Sequence, residues 1–173
     1  MNFSTLFRIG ENLNLDRKTL IYLRWIAILG QLTAVNFVFF YLKLDFPIIL
    51  THIVILIGLI TNLFLQFRIK SILLRDLYAS FFLIYDLCQL SVLLYLTGGI
   101  YNPFSILMIV PAIVSSTFLS MGTTIILVVL TVSFLFVLTK FHYPFPGLHD
   151  NSFIFPDLYV IGFVLSIMIG LLF

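Results

Sequence analysis

Charge is what this 173-residue sequence lacks: Asp, Glu, Lys and Arg together make up 9% of it, and apolar residues 62%. Soluble domains carry about 25% charged and 45–50% apolar residues. A soluble core of this size has nowhere to hide so much apolar surface, which excludes an ordinary globular domain. The same apolar content excludes a disordered segment, and nine Lys and Arg residues are too few and too scattered to grip phosphates, so no direct nucleic-acid partner is expected. Cysteine is nearly absent as well. Cys88 stands alone inside an apolar run, can form no intrachain disulfide, and reads as a small packing residue. The first twenty residues contain no short apolar core and no A-x-A site, so no cleaved leader is expected.

What is present is long uncharged runs: residues 25–42, 46–67 and the 53 residues 87–139. A helix crosses the hydrocarbon of a bilayer in about 20 residues, so the last run holds more than one crossing. Lipid satisfies no backbone polar group, and these runs lack the alternation of a barrel wall. The expected fold is all-α, a polytopic membrane bundle of six transmembrane helices. The spans are placed at about 22–42, 46–66, 77–96, 103–119, 123–139 and 157–173, after an N-terminal segment 1–21. Within this frame Arg24 and Trp25 read as an interfacial entry to the first span, and Met121–Gly122 as a tight turn before the fifth.

Seven Lys and Arg residues precede the first span or lie between the second and third. Only Lys43 and Lys140 occupy the alternate loops. By the positive-inside rule the N-terminus is cytoplasmic, and six crossings return the C-terminus to the same side. The sequence ends within an apolar run at Phe173, which reads as a chain cut from a longer one with a cytoplasmic domain to follow.

Polar residues inside the spans are candidate functional groups, because each is costly there. Asp86 is the one ionisable residue near the middle of a span; Asp86, Gln89, Leu93 and Thr97 share a helical face that should turn inward. That face is either interhelical glue, a proton-linked carboxylate, or one edge of a ligand pocket. Gln31, Asn36 and Asn62 read as interhelical hydrogen-bonding residues. His52, His142 and His149 have no ligand-like spacing, and no metal site is expected. The stretch 141–156, rich in proline and aromatics, reads as an interfacial anchor, and Gly162, Ser166 and Gly170 as a close-packing ridge, within the bundle or between two copies.

The informative loop is Thr97–Phe104, TGGIYNPF. On chemistry alone, Gly98 and Gly99 can end the third helix through a left-handed cap, Asn102 can cap the fourth, and Pro103 takes its first position. The same loop offers amide donors, the Asn102 side chain and the faces of Tyr101 and Phe104 to a ring-shaped headgroup on a lipid tail.

In this loop the chain resembles the membrane region of RegB/PrrB-type redox-sensing histidine kinases, whose hallmark there is Gly-Gly-x-x-Asn-Pro-Phe. Gly98, Gly99, Asn102, Pro103 and Phe104 match it, flanked by Leu23–Trp25, Gly30–Gln31 and Tyr85–Leu90. The resemblance covers the whole chain. It implies a signal-input domain of the bacterial inner membrane, dimeric, binding ubiquinone through those five residues and controlling a cytoplasmic kinase domain and its response regulator. The phospho-accepting histidine region and ATP-binding motifs of such kinases have no counterpart in this sequence, so the chain is expected to sense rather than to phosphorylate. The competing reading is a small proton-linked transporter with Asp86 as its titrating group.

Overall fold

The computed structural model describes residues 15–69, 76–144 and 157–172. Six apolar helical segments follow one another, and no strand occurs among the described residues. Four are long and apolar enough to cross a membrane, and two are shorter. Large apolar side chains such as Phe67, Phe81 and Phe136 are about 70% exposed along these helices, as expected of a lipid-facing surface and not of a water-facing one. The chain is a membrane protein, and the stretch 145–156 lies outside the described residues.

The first helix, α1, covers Arg17–Asn36, with Asp16 as N-cap accepting from the Lys18 amide at 3.2 Å. It therefore starts five residues before the expected edge, within the segment assigned to the N-terminal arm. Arg17 explains the early start: its guanidinium donates to the carbonyls of Gln66 and Ile69, the orphan acceptors at the end of the second helix. A π-helical turn, Phe37–Tyr41, finishes the first segment, and Lys43 takes a left-handed conformation at φ 53°.

The second helix, α2, runs Ile48–Arg68 behind Pro47 and buries Thr51, Ile55, Gly58, Asn62 and Leu65, a single stripe at three- and four-residue spacing. The third, α3, runs Asp76–Leu96, and its Asp76 carboxylate accepts from the Ser120 amide (3.1 Å) and hydroxyl (2.6 Å). Ser120 is in turn the N-cap of α5, Met121–Lys140. The turn expected at Met121–Gly122 thus sits at Leu119–Ser120, because a serine able to cap outcompetes the glycine as the helix start.

The fourth segment is wound in two ways. Pro103–Ile109 is 3-10 helix, and α4 proper is Val110–Phe118. Pro111 lies just past the change of winding and has no N–H to give to a preceding carbonyl. A 3-10 rise of about 2.0 Å lets these sixteen residues reach about 28 Å, against about 24 Å for pure α winding, close to a hydrocarbon thickness of about 30 Å. The last helix, α6, is Asp157–Leu172. Of its expected small-residue ridge, Gly170 packs on Ile109, where a Cβ would come within 2.9 Å of Ile109 Cδ1, while nothing lies within 4 Å of a Cβ at Gly162.

Candidate functional site

α3 packs against α2, α4 and α5. Between α1 and the fourth segment, with α3 behind, lies a cavity of about 600 Å³. Its lining is mostly apolar, and Phe104 and Leu107, on one rim, are each 44% exposed. Asp86, Gln89, Leu93 and Thr97 all line it, so the expected polar face of the third helix does turn inward.

One end of the cavity is the glycine loop. Gly98 (φ 107°) and Gly99 (φ 61°) take left-handed conformations, followed by a 3-10 turn Gly99–Tyr101. Side chains are disfavoured at such angles, and a Cβ at Gly99 would also lie 2.6 Å from His142 Cβ and 2.7 Å from the Leu138 carbonyl. The Tyr143 amide donates to the Tyr95 carbonyl at 2.8 Å, and the Tyr101 and His142 rings meet edge to face at 5.3 Å, so the loop is held against the end of α5.

Asn102 does two jobs in this loop. Its Oδ1 accepts from the Phe104 amide at 3.0 Å, capping the fourth segment. Its Nδ2 donates to Thr97 Oγ1 at 2.7 Å and to the Thr97 carbonyl at 3.3 Å, closing the turn. Of the five residues that carry the heptapeptide, Asn102, Pro103 and Phe104 line the cavity; Gly98 and Gly99 lie outside its lining and shape the turn.

Towards the middle of α3 the cavity is charged. Arg24 Nε donates to Asp86 Oδ1 at 3.0 Å, and Nη2 lies 2.9 Å from the same oxygen while donating to Thr61 Oγ1 at 2.8 Å. The guanidinium also sits over the Phe82 and Tyr85 rings, 5.2 and 5.5 Å from their centroids. Arg24 is 4% exposed. It is therefore no interfacial cation, as its place beside Trp25 led one to expect, but a buried counter-ion that joins α1, α2 and α3. The cause is the early start of α1, which carries Arg24 seven residues into the helix, two turns past Arg17.

The other polar residues of the spans sort differently from one another. Gln89 Nε2 donates to Gln31 Oε1 at 3.3 Å, an interhelical bond as expected, and fits against Gly58, where a Cβ would lie 2.8 Å from Gln89 Cδ. Asn36 instead bonds within its own helix, to the Leu32 carbonyl at 2.7 Å, since at the π-helical end of α1 the nearest acceptor is its own preceding turn. Asn62 is fully buried and neither side-chain polar atom has a partner, so it does not bridge helices either. His52 bonds the Ile48 carbonyl of its own helix at 2.9 Å.

No protein-family profile matches the chain, and no solved structure matches it. Over 157 residues, 90% of its length, it is 36% identical to the sensor histidine kinase RegB of Cereibacter sphaeroides. The chain is similar to a RegB-type sensor region. It spans 34% of the RegB sequence that it matches, about a third. The RegB-type likeness thus extends over nearly all of the helices and loops described above, not over the glycine loop alone.

Proposed function

We propose that this chain is the membrane-embedded redox signal-input region of a two-component sensor histidine kinase, binding ubiquinone in the cavity between α1 and the fourth segment. One observation carries the reading. In a chain similar to RegB, the residues Asn102, Pro103 and Phe104 of the heptapeptide line an apolar cavity large enough for a ring and the start of its tail. Its rim exposes Phe104 and Leu107 on a lipid-facing surface, a route suited to a ligand that arrives through the bilayer.

In this reading all six segments cross the bacterial inner membrane, with both termini cytoplasmic, in agreement with the distribution of Lys and Arg. Two copies act together with a cytoplasmic kinase domain, which carries the phosphotransfer, and with a response regulator. Ligand control requires that quinone bind one arrangement of the helices more tightly than another. The fourth segment is suited to respond, since the loop that caps it is also the wall of the cavity. A transporter would need Asp86 as a free titrating group, and the Arg24 ion pair supports the input region over that alternative.

The test is binding of a short-chain ubiquinone by equilibrium dialysis to the purified chain in detergent, comparing wild type with Phe104→Ala and Asn102→Ala. Saturable binding that weakens in Phe104→Ala while helicity is kept is the expected result. No saturable binding to well-folded wild type overturns the assignment.

A further inference from the structure

The polar groups of the cavity fall into two sets at different depths. Asp86 lies in α3 and Thr97 just past its end, eleven residues on, about 16 Å along the helix axis. A single quinone ring is much shorter than that, so it cannot bond Arg24 and the Asn102 loop together.

The two ends differ in what they have left to give. At the loop end the Asn102 amide hydrogens go to Thr97, and its oxygen to the Phe104 amide. At the deep end Arg24 is 4% exposed, yet Nη1 has no hydrogen-bond partner, while Nε and Nη2 are committed to Asp86 and Thr61. A buried guanidinium nitrogen without an acceptor is costly, and buried donors are almost always satisfied. Beside it, the Gln89 amide makes only long bonds, 3.3 Å to Gln31 Oε1 and 3.5 Å to the Val54 carbonyl. Arg24, Gln31 and Gln89 all line the cavity. Gln31 lies seven residues beyond Arg24 on α1, and Gln89 three beyond Asp86 on α3, so the donors gather on facing stripes.

Charge narrows what this end accepts. Asp86 neutralises Arg24, so a carboxylate or phosphate would gain a cation and meet an anion in the same step. A carbonyl oxygen on an uncharged ring takes that N–H without the same conflict once Nη1, covered in this structure, turns to the cavity. We infer that the carbonyl-bearing ring of the ligand seats at Arg24, Gln31 and Gln89, deep in the cavity, and that the Asn102–Phe104 loop forms the opposite wall and mouth. This inference rests on the quinone reading above and moves the hydrogen-bonding site of that ligand away from the loop.

A native reporter tests it. Trp25, the one tryptophan of the sequence, is next to Arg24 and far from the loop along the helix axis. Decyl-ubiquinone is titrated into the detergent-purified chain, with Trp25 quenching and equilibrium dialysis read on the same samples. The inference expects saturable quenching with the same midpoint as dialysis. It also expects affinity at least about tenfold weaker in the charge-free pair Arg24→Gln/Asp86→Asn, the loss of a hydrogen bond to a charged donor. Saturable dialysis binding with no saturable quenching, or full affinity in that folded double variant, overturns the deep seat and leaves the quinone reading standing. Absence of saturable binding by either method in folded wild type overturns both. If the double variant does not fold, quenching in wild type decides the question alone.

Discussion

Arg24 and Asp86 bear on stability as a unit. Removing one partner of a buried ion pair leaves an uncompensated charge and costs about 3–5 kcal/mol, whereas replacing both leaves no such charge. Arg24→Gln and Asp86→Asn are each expected to lower stability by about that amount. The double variant should be less damaged than either single one, which unfolding in detergent would read as a double-mutant cycle. Equal and additive losses would mean that the two side chains do not act on each other. At this scale the sequence was half legible. Asp86 stands out as an acid in an apolar run, and its face is set by helical spacing alone. Its partner was concealed because a cation beside a tryptophan reads as an interface signal, and only the position of the helix start shows it to be two turns inside. The roles of Asn36 and Asn62 were beyond reach for a similar reason: a side-chain amide in a span needs a partner, but nothing in the residue type says from which side it comes.

At the scale of elements, caps rather than apolar runs decide the boundaries. Asp16, Asn102 and Ser120 each place a helix start, and two of the three lie away from the edge that apolarity draws. Asn102 and Pro103 were legible because cap and proline agree in sequence. The 3-10 winding that follows was not, since it answers to packing and to the span the segment has to cover. Asp76 and Ser120 make a second prediction. Ser120→Ala removes an N-cap and should cost about 1 kcal/mol. Asp76→Ala should cost a similar amount, and the two losses should add only in part, because the carboxylate holds the Ser120 hydroxyl as well as the Ser120 amide and, at 3.3 Å, Thr123 Oγ1. Thermal unfolding of the two single variants and the double variant measures this; fully additive losses would show that Asp76 works elsewhere.

For the whole molecule, the all-helical architecture and the six apolar segments follow from the uncharged runs, and the proposed orientation rests on where Lys and Arg lie. The arrangement of the helices did not follow, because neither apolar runs nor charge counts say which helix neighbours which; the cavity exists only once α1 and the fourth segment flank α3. Orientation is open to a direct check. In a Cys88→Ala background, cysteines placed at Lys43 and Lys140 should react with a membrane-impermeant maleimide added to intact cells, and one placed at Lys18 should react only after the membrane is opened. Labelling of Lys18→Cys from outside would reverse the assignment.

The pairing of Arg24 with Asp86 has an electrical consequence. One elementary charge moved across 100 mV of membrane potential exchanges about 2.3 kcal/mol with the field, enough to bias a conformational equilibrium nearly fiftyfold. A cation and an anion held 2.9 Å apart and moving together exchange almost nothing. Under the proposed reading, helix motion in this region is thereby insulated from the membrane potential. Breaking the pair in a single variant would hand the membrane potential a lever on the same helices.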